Sequence, residues 1–227
     1  MKYTTLLLDA DDTMFDFQVC EYNALKNTIE GEGRIFTQEL FETYDRINSA
    51  LWRKLELGQV TRSRMRIQRF GDLIECCLDG QGDAEKYADR YIHELSLQAA
   101  LLPGTLDAVK DLSKLFELYV ITNGLTDVQK GRFARSPVTQ YMKDIFISDE
   151  LDAQKPDKIF FDRVLTEIRE KDPDRVLVVG DSLTSDMQGG RNAGLSTCLF
   201  DPKGKISMPH PLCDFRIKSL TELSAFA

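Results

Sequence analysis

Short apolar runs alternate with helix-length segments along most of this chain, and that alternation limits the folds that it can adopt. Five runs end in polar or small residues and are predicted to be buried strands: YTTLLLDAD, ELYVITNG, DIFISDE, RVLVVGDS and STCLFD. Helices are predicted over 104–115, 126–135, 157–170 and 185–193. Because strands that alternate with helices form βαβ units, we predict an α/β fold whose parallel sheet is covered on both faces.

The segment from residue 17 to residue 97 has no strand-like run. Its stretches FTQELFETYDRINSALWRKLEL and SRMRIQRFGDLIECCL repeat apolar residues at helical spacing. Helices inserted between the first two strands are expected to form a separate lobe over the carboxyl end of strand one, where open α/β sheets bind ligands. We therefore predict two domains, an α/β domain of residues 1–16 and 98–227 and a helical domain of residues 17–97.

Composition excludes several classes of protein. The chain has 227 residues, 42% hydrophobic and 29% charged, with no apolar run long enough for a membrane span or a signal peptide. Five cysteines without zinc-ligand spacing favour reduced thiols, so we expect a cytoplasmic protein. A net charge of −8 without a basic tract argues against binding a nucleic acid polymer. The negative net charge does not exclude a small anionic substrate, because a bound or neighbouring cation can make the electrostatic potential positive at one site.

The first apolar run leads directly into three carboxylates, in the stretch LLLDADDT. Asp9, Asp11 and Asp12 occupy three of four consecutive positions. Two carboxylates about 4 Å apart repel by roughly 4 kcal/mol at an effective dielectric near 20. A solvated turn tolerates that repulsion because water screens it, whereas a buried strand end tolerates it only beside a cation.

Polar residues also follow the later predicted strands. Each of these short motifs alone is weak evidence for a functional site, since similar residues usually form a turn, the end of a strand or the start of a helix. Carboxyl ends of parallel strands share one edge of a sheet, so these groups are predicted to surround one crevice. They are Thr122-Asn123-Gly124 after the second strand, Lys155 before Pro156 after the third, and Gly180-Asp181-Ser182 with Asp186 after the fourth.

The order of these motifs, DxDxT, then Thr, then Lys before Pro, then GDxxxxD, resembles the haloacid-dehalogenase-type (HAD) phosphohydrolases over nearly the whole chain. That resemblance implies a doubly wound parallel sheet, Rossmann-like, with an inserted helical cap. The stretches DADDT, NSALWRKLELGQVT, RIQRF and ITNGLTDVQKGR further resemble the pyrimidine 5′-nucleotidase branch. DELDAQKP departs from that branch, which often has Gly where Asp152 stands.

The resemblance also implies chemical roles for the acids and the lysine. Asp9 is expected to be the nucleophile that forms an aspartyl-phosphate, and Asp11 the general acid and base. Lys155 is expected to neutralise phosphoryl charge and to position Asp9. Asp12 is expected to be a solvated or loop residue.

A Mg²⁺ site and a phosphoryl site are implied as well. Asp9, the backbone carbonyl of Asp11 and Asp181 are the expected metal ligands. Asp186 is a further ligand or an acceptor that orients Lys155 or a metal-bound water, and an acid at a helix N-terminus is the alternative. The expected phosphoryl contacts are the Thr122 side chain and the backbone N–H groups at Asn123 and Gly124.

The resulting functional hypothesis is a Mg²⁺-dependent phosphomonoesterase acting on nucleoside 5′-monophosphates. The alternatives are a phosphatase of the same scaffold for a sugar phosphate or phosphoglycolate, a dehalogenase, which the second acid at Asp11 disfavours, and a non-catalytic binding module, which would lack a motif. The expected partner is a small phosphorylated substrate, with no nucleic acid polymer and no membrane, and the oligomeric state stays open. Contacts beyond the phosphate are expected from residues 48–69.

Overall fold

A parallel sheet of six strands organises the larger part of this computed structural model, which describes residues 2–227 apart from the side chain of residue 56. The strands are β1 (Thr5–Asp9), β2 (Glu117–Thr122), β3 (Asp144–Ile147), β4 (Val176–Gly180), β5 (Ser196–Phe200) and β6 (Phe215–Ile217). Their spatial order is β3-β2-β1-β4-β5-β6, and all neighbouring strands are parallel. The α/β class and the five predicted strands are confirmed. The strand β6 was not predicted, because three residues with Arg216 at the centre give no apolar run.

Strand β1 lies in the middle of the sheet and is buried on both faces. Leu6 and Leu8 belong to the core on one side, and Leu7 belongs to the core on the other side. This alternation follows from the two-residue period of a strand. Asp9 is the last residue of the strand and pairs with Ile121 of β2. Its carboxylate therefore lies at the carboxyl end of the strand, next to the apolar core.

Four helices follow β1 along the chain, namely α1 (Phe17–Gly31), α2 (Gln38–Glu56), α3 (Arg62–Cys77) and α4 (Ala84–Ser96). The last three begin at residues that cap them. Side-chain oxygens of Thr37, Thr61 and Asp83 accept hydrogen bonds from backbone N–H groups of the first turns, which otherwise lack partners.

The remaining helices lie before, between and after the later strands. They are α5 (Thr105–Leu112), α6 (Thr126–Arg135), α7 (Lys158–Glu167) and α8 (Gln188–Asn192), with 3₁₀ turns at Thr139–Tyr141, Pro173–Arg175 and Leu220–Phe226 and a π-helical turn at Leu183–Met187. The helix predicted over 157–170 ends early, because Arg169 adopts a left-handed backbone with φ 59°. Within the described residues, none of the helices is both long and apolar enough to span a bilayer.

The chain folds into two compact units. One consists of Met1–Gln18 and Ala99–Ala227 and contains the sheet, and the other is Val19–Gln98 and consists of helices. The assignment of these parts as a catalytic core and a cap stays a prediction.

The helical unit contains a buried cluster of polar side chains. The Asn48 amide donates to Glu21 Oε1 at 2.8 Å, and the Tyr91 hydroxyl donates to the same oxygen at 3.4 Å. Arg69 Nη1 donates to Asn48 Oδ1 at 3.3 Å, and its guanidinium lies 4.7 Å from the centre of the Tyr91 ring. Burial raises the pKa of Glu21 to about 7, against the opposing effect of the Arg69 charge. Two residues of the nucleotidase-like stretches, Asn48 and Arg69, therefore join the packing of this unit.

Glu21 should make the stability of the protein depend on pH. Its pKa is higher in the folded chain than the ordinary value of 4.5, so its favourable contribution is complete below that value and is lost as the pH rises through about 7. A rise of this size corresponds to roughly 3 kcal/mol. Relative to Glu21→Gln, the wild-type protein should therefore lose unfolding free energy between about pH 5 and about pH 8 in urea titrations.

The exposed Glu30 on the same helix supplies the control. Glu30→Gln should follow the wild-type pH dependence. Parallel pH profiles for wild type and Glu21→Gln would show that Glu21 is not responsible for the loss.

Candidate active site

Lys155 joins two buried carboxylates at the carboxyl end of the sheet. Its ammonium group donates to Asp9 Oδ1 at 2.6 Å, to Asp186 Oδ1 at 2.7 Å and to the backbone carbonyl of Ile121 at 3.1 Å. All three ammonium hydrogens are thus used. Burial lowers the pKa of Lys155, but the charges of Asp186 and Asp9 outweigh this effect and hold it above its ordinary value.

The backbone of Lys155 is held in place by Asn123. The Asn123 amide donates to the Lys155 carbonyl at 2.8 Å and accepts from the Lys155 N–H at 2.9 Å. Because Asn123 directly follows β2, this pair of hydrogen bonds fixes the loop before α7 next to that strand. The side chain of Asn123 therefore has a role that the sequence did not reveal.

Asp186 lies in the π-helical turn, and the absence of a side chain at Gly180 makes room for it. A Cβ at Gly180 would lie 2.2 Å from Asp186 Oδ2. That oxygen accepts the Ser182 N–H at 3.2 Å, and the other oxygen accepts from Lys155. Both oxygens are engaged, which favours the reading of Asp186 as the acceptor that orients Lys155.

Asp9, Asp181 and Asp186 form an acidic group at this point. Each offers a carboxylate oxygen, and these atoms lie within 4.8 Å of one another. Burial and then the carboxylates of Asp186 and Asp181 raise the pKa of Asp9, even though Lys155 acts in the opposite direction. Asp181 keeps an exposed face, yet partial desolvation and the charges of Asp186 and Asp12 raise its pKa to about 7. Hard carboxylate oxygens at this spacing fit a divalent cation such as Mg²⁺.

Asp12 lies close enough to this group for its charge to act on Asp181. It is half-buried, and desolvation followed by the Asp11 charge raises its pKa to about 6. Its backbone is left-handed, with φ 57°, a conformation that Asp tolerates better than most residues. Asp12 is therefore a loop residue, as expected, and it also adds to the negative field of the site.

The predicted phosphoryl loop follows β2. Thr122 is buried, and its hydroxyl oxygen accepts the Gly124 N–H at 3.0 Å. Gly124 in turn lies against a side chain of α6, because a Cβ at this position would be 2.2 Å from Gln129 Nε2. The Thr122 hydroxyl and the Gly124 N–H thus bond to each other in this structure.

Asp11 is held by two residues that the sequence reasoning missed. Arg132 forms an ion pair with Asp11 Oδ1, and the Gln129 amide donates to Asp11 Oδ2 at 2.8 Å. Both residues lie on α6, inside the stretch ITNGLTDVQKGR. Their spacing of three positions predicts that both side chains lie on one face of the helix. The sequence does not show whether that face is buried or exposed.

All eight predicted site residues belong to the unit that contains the sheet. The structure brings Asp9, Lys155, Asp181 and Asp186 into one group, with Asn123 holding the backbone of Lys155. Their catalytic and binding roles stay predictions.

Comparison with known proteins assigns the chain to a family. A model of the haloacid dehalogenase-like hydrolases matches residues 3–194. The chain belongs to this family and is a hydrolase, which confirms the resemblance drawn from the motifs.

Individual relatives refine the picture. Pyrimidine 5′-nucleotidase PynA of Streptococcus pneumoniae is 36% identical over 203 residues, which are 89% of this chain and 85% of PynA. Pyrimidine 5′-nucleotidase YjjG of Escherichia coli is 31% identical over 198 residues, which are 87% of this chain and 86% of YjjG. The crystal structure of the HAD-hydrolase YfnB from Bacillus subtilis, bound to magnesium, is 35% identical and matches with a TM-score of 0.92, covering 100% of this chain and 99% of YfnB.

Removal of the Lys155 charge should destabilise the protein strongly. Lys155→Met leaves Asp9 and Asp186 buried without their cation, and breaking a buried ion pair in this way costs about 3–5 kcal/mol. Urea unfolding at about pH 7.5 measures the loss. Lys158→Met is the matched control, because Lys158 is exposed and its pair with Asp162 contributes about 0–1 kcal/mol. Equal losses for the two variants would contradict the buried ion group.

Proposed function

We propose that this protein is a phosphomonoester hydrolase that works through an aspartyl-phosphate on Asp9. The observation that carries the proposal is the placement of Asp9, a buried strand-end carboxylate, against Lys155 and within 4.8 Å of Asp181 and Asp186. A carboxylate held in this way can attack phosphorus, while the lysine offsets the charge of the transferred group.

In the first step, an Asp9 oxygen attacks the phosphorus atom of the ester. Oδ1 accepts a 2.6 Å hydrogen bond from Lys155, whereas Oδ2 accepts only a long one, 3.5 Å, from the Thr13 hydroxyl, so we assign the attack to the more weakly held Oδ2. The O–P bond to Asp9 forms as the bond from phosphorus to the leaving oxygen breaks. Asp11, in its protonated form, gives its proton to that leaving oxygen and releases the alcohol.

In the second step, Asp11 acts as the base. Its carboxylate takes a proton from a water molecule, whose oxygen attacks the phosphorus of the aspartyl-phosphate. The bond between phosphorus and Asp9 breaks, which releases inorganic phosphate and restores both carboxyl groups. The ammonium of Lys155 and the loop at Thr122 and Gly124 hold the phosphoryl oxygens during both steps.

A bound Mg²⁺ ion would be held by Asp9 and Asp181 together with the backbone carbonyl of Asp11. When bound, it supplies positive charge that offsets the carboxylates and the phosphoryl group. Asp186 is assigned to the next layer, because both of its oxygens already accept hydrogen bonds from Lys155 and Ser182.

The proposed substrates are nucleoside 5′-monophosphates. Support comes from the names of PynA and YjjG, which match this chain at 36% and 31% identity over most of its length. We further propose that residues 1–16 and 98–227 are the catalytic core and that residues 17–97 are the cap domain. The site residues themselves all lie in the core.

A panel of phosphomonoesters assayed with Mg²⁺ and with EDTA tests the reaction and the substrate together. Nucleoside 5′-monophosphates should be hydrolysed faster than sugar phosphates and phosphoglycolate, and EDTA should abolish turnover. Asp181→Asn should weaken activation by Mg²⁺, because it removes one of the charged ligands, whereas the exposed Asp107→Asn should not. Preference for a sugar phosphate would overturn the substrate assignment, and full turnover in EDTA would overturn the metal site.

Two substitutions separate the roles of the carboxylates. Asp9→Asn should abolish turnover and leave the protein folded, because it removes the nucleophile and keeps its shape. Asp11→Asn should slow hydrolysis of nucleotides by about 10²–10⁴-fold, the usual contribution of a general acid or base. Steady-state kinetics and circular dichroism of both variants provide the measurement. Near wild-type rates for Asp11→Asn would mean that another group transfers the proton.

A further inference from the structure

We infer that Gln129 and Arg132 are positioning residues for Asp11, which they hold by both carboxylate oxygens. The inference rests on the proposed role of Asp11 as general acid and base. It adds two residues of α6 to the proton-transfer machinery, although neither follows a strand of the sheet.

Arg132 is a fully buried arginine on a short helix. It forms an ion pair with Asp11 Oδ1, and its side chain has no exposed surface. The guanidinium lies 4.2 Å from the centre of the Phe15 ring, which packs in turn against Phe133 with ring centres 5.0 Å apart. A planar cation stacked in this way has few alternative positions, so it fixes the direction from which Asp11 is bound.

Gln129 holds the second oxygen of the same carboxylate. Its amide nitrogen donates to Asp11 Oδ2 at 2.8 Å, and its side chain is buried against Gly124. A side chain at Gly124 would occupy the space that Gln129 needs, since a Cβ there would lie 2.2 Å from Nε2. The glycine of the phosphoryl loop therefore permits the contact between α6 and Asp11.

The two donors on α6 hold the carboxyl group of Asp11 by both of its oxygens. A carboxylate has about four lone-pair sites, and the two donors on α6 occupy one site on each oxygen. The Asp11 side chain is 28% exposed, so part of its carboxylate stays accessible. Because a donor on α6 holds each oxygen, rotation of the carboxyl group would break both contacts, so Asp11 keeps one orientation.

Comparison of two leaving groups tests positioning apart from folding. Departure of a nucleoside requires protonation of a strongly basic alkoxide, whereas p-nitrophenolate is a weak base and leaves without that help. In single-turnover experiments with Mg²⁺, Gln129→Leu and Arg132→Lys should slow nucleoside release from UMP by about 10- to 100-fold, part of the range for general acid catalysis. Release of p-nitrophenol should change by less than about threefold, and KM for UMP should stay within the same limit.

Arg135→Met is the control, because Arg135 lies three residues along the same helix and is exposed. It should release both alcohols at wild-type rates. Circular dichroism and thermal unfolding show whether each variant is folded. If Arg132→Lys does not fold, the kinetics of Gln129→Leu test the positioning role. Equal slowing of both alcohols, or a change in KM alone, would overturn the inference.

The Asp11→Asn background separates this inference from the proposed function. If Gln129 acts through Asp11, Gln129→Leu should slow nucleoside release no further in Asp11→Asn, since the effects of coupled residues are not additive. Wild-type release by Asp11→Asn would mean that the proposed role of Asp11 fails. Slow release by Asp11→Asn together with wild-type release by Gln129→Leu would mean that only the positioning role fails.

Discussion

The ammonium group of Lys155 is the contact on which the arrangement of the site depends. Two carboxylates, Asp9 and Asp186, are buried together, and burial of an unpaired charge costs several kcal/mol per ion. Lys155 offsets both charges and uses its third hydrogen on the carbonyl of Ile121. The loop before α7 must therefore return to the centre of the sheet, and the two hydrogen bonds from Asn123 keep it there.

One lysine does not balance this group. Asp9, Asp181 and Asp186 carry three negative charges when ionised and Lys155 carries one positive charge, which leaves an excess of two. Burial and mutual repulsion accordingly raise the pKa of Asp9, and similar effects raise that of Asp181. A divalent cation has the charge that removes this excess, which supports the proposed Mg²⁺ site on physical grounds. Asp11 differs from these three carboxylates because it forms an ion pair with Arg132.

The site residues that lie at the ends of strands could be predicted from the sequence. The site residues that lie on the face of a helix could not. Asp9 and Asp181 could be found because each follows an apolar run, and the carboxyl ends of parallel strands meet at one edge. Arg132 could not be found in this way, since a buried arginine and a solvated one look alike in a helical pattern. Strand β6 was not predicted because it is only three residues long. The hydrogen bonds between Asn123 and Lys155 were not predicted because these residues are 32 positions apart in the sequence.

Gln129, which was not predicted from the sequence, connects two loops that were predicted to form the site. Helix α6 begins at Thr126, two residues after Gly124 of the predicted phosphoryl loop, and it carries Gln129. Gln129 packs against Gly124 and donates to Asp11, which places the loop after β2 and the loop after β1 against the same side chain. In the proposed reaction, the phosphoryl group and the proton donor must keep a fixed distance, because misplacement by about 1 Å can cost a hundredfold in rate. In the proposed reaction, close packing around α6 supplies that constraint through the contacts of Gln129 and Arg132 with Asp11.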